Sequence, residues 1–186
     1  MIQKDLIRNP TTFWLTGLSG AGKSTYLPYL VKFVKNNSNL PCLYFDGDQL
    51  RYIINISSYD LNARIENGLR YSRLCKNLNE QGFHVVIACI ALYPEIHKWN
   101  IENIQNLEYV MIDVPISELI RRDPKGLYKK SIETNSKDIV GIDIPASYPE
   151  KLRIHYKWVE GDNVLNMIEY CNQRLSEIYR VENIFP

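Results

Sequence analysis

Gly17-Leu18-Ser19-Gly20-Ala21-Gly22-Lys23-Ser24 fits the spacing G-x-x-x-x-G-K-[ST]. Glycines let successive backbone N–H groups turn inward on phosphate oxygens, and the N-terminus of a following helix adds partial positive charge. Lys23 is placed to reach the β- and γ-phosphates of a nucleotide and the Ser24 hydroxyl to ligate Mg²⁺, with Thr25 ending the loop. Asp46-Gly47-Asp48 forms a second cluster, followed by Arg51. A carboxylate ending a strand can orient Mg²⁺, directly or through water, or accept the proton of an attacking hydroxyl. The apolar run from His84 to Ala91 carries no acidic residue, so Asp46 and Asp48 are the candidates for the metal-orienting carboxylate that strand would otherwise supply. Five basic residues between Arg121 and Lys130 read, on their own, as a solvated surface.

Those residues need strands and helices in alternation. Thr12 to Thr16 is a short apolar run that stops at Gly17 and reads as a buried strand; Leu27, Leu30, Val31 and Val34 then mark a helix from Ser24 to about Asn37. Strands are expected at Pro41 to Phe45, His84 to Ala91, Tyr109 to Ile112 and Leu152 to His155. Helices are expected around Ile65 to Leu78, Pro94 to Gln105, Ile116 to Arg122 and Val164 to Ile178. Asp123 to Pro149 lacks clean periodicity and reads as a mobile excursion. The alternation implies a mainly parallel α/β sheet.

Composition bounds the partners. The 186 residues, 45% hydrophobic and 23% charged, suit one domain spanning 1–186. A net charge of +1 is no nucleic-acid footprint. The longest apolar run, Val85 to Tyr93, is far short of the ~20 residues that span a bilayer, and the first residues lack the pattern of a secretory signal. Cys42, Cys75, Cys89 and Cys171 fall in apolar segments without a paired spacing, as expected of reduced thiols in a cytoplasmic protein. His84, His97 and His155 lack metal-ligand spacing.

Trp14 to Thr25, Phe45 to Arg51, Arg64 to Asn67, Arg122 to Lys130 and Gly141 to Asp143 together resemble the adenylyl-sulfate (adenosine 5′-phosphosulfate, APS) kinases. The resemblance runs in order over most of the chain. It implies a P-loop NTPase-type three-layer α/β sandwich that transfers the γ-phosphoryl of MgATP to the 3′-hydroxyl of an anionic nucleotide, in an enzyme that is typically a homodimer. By position it assigns Arg51, Arg64 and Asn67 to the acceptor, with Ile90 and Ala91 lining the same pocket and Lys125 and Lys137 beside it. It makes residues 122–149 a lid, with Arg122 on the ATP side. Tyr59 and Ile139 align with two aromatic positions that clamp the acceptor base.

The departures from the family fall on the acceptor side. Its pattern Asp-Arg-x-Glu-Asn-Ile-Arg-Arg reads here from Ala63 to Arg70 with one acid and one arginine lost; a serine becomes Ala91, and the second aromatic is Ile139. APS is therefore the default acceptor, and another nucleotide conjugate such as cytidine diphosphoramidate is the alternative. A non-catalytic nucleotide-binding switch is the alternative of a different class; retention of Lys23, Ser24, Asp46, Asp48 and Arg122 argues against it.

Overall fold

Five apolar runs pair as parallel strands: β1 (Thr12–Thr16), β2 (Cys42–Asp46), β3 (His84–Ala88), β4 (Leu107–Asp113) and β5 (Ile154–Lys157), in the order β2-β3-β1-β4-β5. The computed structural model describes residues 6–55, 58, 60–134 and 137–180. Central β1 and β3 are buried at every position, which is why they read as continuous apolar runs rather than alternating ones.

The chain leaves β1 through α1 (Lys23–Asn37) to edge strand β2, then returns inward through α2 (Gly47–Ile53) and α3 (Leu61–Glu80) to β3. Right-handed crossovers in opposite directions put α1 and α3 on opposite faces of the sheet. α4 (Pro94–Asn103) packs with α3, and α7 (Val164–Tyr179) packs with α1. α5 (Ile116–Arg122) and α6 (Leu127–Thr134) lie between β4 and β5. Polar residues set the helix starts. Asp60 accepts the Ala63 N–H at 2.9 Å to begin α3, and Asn163 with Asn166 forms a reciprocal cap on α7.

Four sequence expectations need correction. β3 ends at Ala88, three residues early, because the chain from Cys89 to Tyr93 leaves the ladder to line a cleft. β5 lies two residues later than expected, in register with Val110 to Asp113. α2 was not anticipated; seven residues are too few to display a helical period. The segment read as an excursion holds a helix, α6, started by Asp123, whose carboxylate accepts the Tyr128 and Lys129 N–H groups at 3.2 and 2.9 Å. Cys75, Cys89 and Cys171 are buried and Cys42 half-buried, all as free thiols. No helix among the described residues is long and apolar enough to cross a membrane.

Gly17 joins β1 to the glycine-rich loop with φ of +150°, and a Cβ there would lie 2.3 Å from the Ile112 carbonyl oxygen on β4. That obstacle is backbone and cannot swing away. Gly17→Ala should therefore destabilise the fold by about 2–3 kcal/mol even without nucleotide. Urea unfolding measures it, and a wild-type midpoint would show that β4 does not hold the loop.

Candidate active site

The loop after β1 delivers bare amides. Gly22 caps α1 at φ +107°, offers no side-chain cap, and no acidic residue occupies the first turn. The orphan N–H groups of α1 are thus left for an anion. Lys23 folds back over the loop, its Nζ donating to the Leu18 carbonyl at 2.8 Å. Desolvation by burial, with repulsion from Lys125, pushes its pKa down to about 8, against attraction from Asp48 and Asp46.

Asp46 ends β2 beside this loop. Its Oδ2 accepts the Ser24 hydroxyl at 2.6 Å and its Oδ1 the Asp48 N–H at 2.9 Å, so one carboxylate both caps α2 and meets the loop. The residue between is glycine at a tight spot: a Cβ on Gly47 would press on Cys89 Cβ at 3.0 Å and the Ala88 carbonyl at 3.1 Å. Asp48 pairs with Lys125 from the segment before α6. Burial opposes its ionisation, but Lys125, Arg51 and Lys23 outweigh that and hold its carboxyl below the usual range.

A cleft of about 830 Å³ runs from the loop across the ends of β2 and β3. It gathers Ser19, Gly20, Gly22, Lys23, Ser24, Thr25, Asp46 and Asp48 with Arg51, Arg64, Asn67, Ile90, Ala91, Lys125 and Ile139. α3 contributes Arg64, Asn67, Gly68 and Tyr71, one helical face at i, i+3, i+4 and i+7. α6 faces it with Leu127, Lys130, Ser131 and Thr134 at the same spacing. Arg51 hydrogen-bonds the Tyr71 hydroxyl, and Arg64 donates to the Asp138 carbonyl at 2.8 Å.

Gly17, Leu18 and Ala21 are the buried members of the loop and do not line the cleft. Arg122 is also outside it. Its guanidinium lies over the Trp158 ring at 5.8 Å and donates to buried Glu118 at 2.6 Å. Hydrogen bonds from Arg121 and Arg122 hold the Glu118 carboxyl down at about 2. Lys137 is exposed and absent from the lining. Tyr59 lies outside the described residues. Sequence reasoning missed Tyr71, Tyr93, Cys89 and Lys130, all in the wall. The helical spacing from Arg64 could have found Tyr71. Nothing local marks Tyr93, which caps α4 with its aromatic ring buried beside Arg64.

A family model for adenylylsulphate kinase matches residues 9–157. The chain belongs to the adenylylsulphate kinase family. It is 38% identical over 143 residues to the cytidine diphosphoramidate kinase of Campylobacter jejuni, covering 76% of this chain and 83% of that one. It is 36% identical over 177 residues to the adenylyl-sulfate kinase of Clostridium acetobutylicum, covering 92% and 88%. The Mycobacterium tuberculosis APS kinase CysC, solved in complex with AMPPNP and APS, superposes with a TM-score of 0.74 at 25% identity, over 90% of this chain and 98% of that one. As a member of the adenylylsulphate kinase family, with the P-loop fold its strand order shows, the protein is an ATP-dependent kinase acting on a nucleotide.

The desolvated lysine gives a pH signature. Its pKa of about 8 lies below the ordinary 10.5, so between those values the unfolded chain binds more protons and stability rises with pH. Measured without nucleotide, the stability of wild type relative to Lys23→Met should climb across that window. A difference independent of pH would mean that the loop does not desolvate the ammonium.

Proposed function

We propose that this kinase transfers the γ-phosphoryl group of ATP to the 3′-hydroxyl of an anionic nucleotide, with adenosine 5′-phosphosulfate as its acceptor. One observation carries the reading: a single cleft joins the phosphate loop, two carboxylates and a cationic wall. Loop amides from Gly17 to Thr25 hold the ATP phosphates, and Lys23 neutralises charge developing on the transferred group. Ser24 and Asp46, hard oxygen donors already in contact, fit Mg²⁺ and would hold it, Asp46 directly or through water. Bound there, the ion supplies charge neutralisation on the phosphates.

Asp46 takes the proton of the acceptor hydroxyl; Asp48, held ionised by Lys125 and Arg51, aims those cations at the acceptor. Arg64 and Asn67 grip the acceptor's phosphate-linked group, guanidinium forks being suited to such anions. Residues 122–149 act as a lid that excludes water, with Arg122 at the ATP end and Lys137 approaching the acceptor. The same reading makes residues 1–186 one domain of a cytoplasmic homodimer.

A second acceptor is favoured by the lining itself. Ile139 and Ala91 stand in the cleft where the resemblance leads one to expect an aromatic ring and a serine. Stacking a base on an aromatic side chain contributes about 1–3 kcal/mol, so its loss weakens adenine binding more than that of a smaller pyrimidine. A cytidine diphosphate conjugate is the alternative, in keeping with the Campylobacter jejuni relative.

ATP-consumption assays with adenosine 5′-phosphosulfate and with a cytidine diphosphate conjugate decide between the two. Turnover of neither would defeat the proposal. Ile139→Phe should shift kcat/KM toward the adenine acceptor, and an unchanged ratio would remove position 139 from base choice. Lys23→Ala and Asp46→Asn should each lower kcat on the order of a hundredfold or more, whereas Asp48→Asn should act mainly on acceptor KM. A healthy Asp46→Asn beside a dead Asp48→Asn would reverse the two roles.

A further inference from the structure

The acceptor end of the cleft has two walls: the α3 face carrying Arg64, and residues 138–140, whose Asp138 carbonyl accepts from Arg64 and from which the chain runs on to Ser147 behind the cleft. Helix α4 stands behind both. Toward α3 it presents Ile96, fully buried. A Cβ on Gly68 would lie 2.0 Å from the Ile96 δ-methyl, so the helices approach this closely because residue 68 has no side chain.

The next residue, His97, faces the other wall. Its Nε2 lies 2.7 Å from the Ser147 carbonyl oxygen and its Nδ1 3.3 Å from the Tyr109 hydroxyl. A carbonyl can only accept, so Nε2 carries the proton and Nδ1 accepts from Tyr109. The Tyr109 oxygen in turn accepts from Asn100 Nδ2 at 3.0 Å. This relay is buried, and burial lowers the pKa of His97 from its ordinary value, keeping the ring in the neutral form the relay requires.

Ser147 is gripped at both backbone polar atoms, since its N–H donates to the Leu92 carbonyl at 2.9 Å, one residue before cleft-lining Tyr93. The neighbouring side-chain tie, from the Tyr148 hydroxyl to Asp113 at 3.2 Å, is solvent-exposed and contributes less.

We propose that His97 is a positioning residue for the acceptor: by holding the Ser147 carbonyl at the far end of segment 138–147, it fixes that segment and so the wall at 138–140 on which Arg64 and the acceptor lean. The inference rests on the kinase reading above and concerns a residue absent from the cleft lining.

Hydrogen exchange and steady-state kinetics test it together. In His97→Leu without ligands, backbone amides of 138–147 should exchange roughly tenfold faster, while those of α1 keep wild-type rates. With adenosine 5′-phosphosulfate as acceptor, its KM should rise about five- to tenfold, with kcat and the KM for ATP within about twofold of wild type. His97→Gln, whose amide can donate to the Ser147 carbonyl, should restore most of both. Tyr109→Phe, which removes the hydroxyl orienting Nδ1, should fall between wild type and His97→Leu, and it carries the test if His97→Leu fails to fold. Unchanged exchange in 138–147, or an equal rise in both KM values, overturns the proposal. A wild type inert toward that acceptor would count against the acceptor assignment instead, leaving exchange to decide the role of His97.

Discussion

The left-handed turns of the glycine loop are the constraint on which the rest of the molecule depends. Gly17, Gly20 and Gly22 hold φ values of +150°, +79° and +107°, backbone conformations that residues with side chains rarely adopt. Each glycine also meets a different neighbour at close range. A Cβ would strike the Ile112 carbonyl on β4 at Gly17 and press on Met167 Sδ of α7 at Gly22, while at Gly20 it would only touch Pro124. The loop is therefore a junction of strand, crossover segment and C-terminal helix, and at Gly17 a side chain is excluded by packing as well as by backbone conformation.

The segment after α5 leans on that junction repeatedly. The Tyr128 hydroxyl donates to the Ser19 carbonyl at 2.9 Å, Pro124 covers Gly20, and Leu18 packs where a Gly141 side chain would stand. Lys125 reaches Asp48, and Asp46 accepts the Ser24 hydroxyl, so loop, carboxylates and crossover segment form one connected set of polar contacts. This accounts for the density of Arg122 to Lys130 as a motif: Asp123 caps α6, Gly126 turns at φ +63°, Tyr128 ties to the loop and Lys125 meets a carboxylate.

Local order in the sequence made the donor end legible. The loop is contiguous, its flanking strand and helix are strongly periodic, and Asp46-Gly47-Asp48 lies at a strand end where parallel sheets bind ligands. The acceptor end is assembled from α3, the chain after β3, α6 and the segment 138–140, which are distant in sequence. Tyr71 and Tyr93 enter it through helix phase and a cap, and neither is marked by residue type. α6 was hidden because Pro124 and Gly126 precede it and its eight residues show little more than two turns. Arg122 donates to buried Glu118 on its own helix and lies over Trp158, just after β5, which sets its guanidinium outside the cleft; the Trp158 contact, from a residue distant in sequence, is invisible locally.

On the proposed reading one cleft takes both the donor phosphates and the acceptor hydroxyl, and Ala91 offers no hydroxyl where the resemblance leads one to expect a serine. The stereochemical course at phosphorus tests this most directly, using ATP made chiral at its γ-phosphorus by sulfur and oxygen isotopes. Direct in-line transfer predicts inversion of configuration in the phosphorylated nucleotide. Retention would require a phosphorylated side chain and would contradict the account.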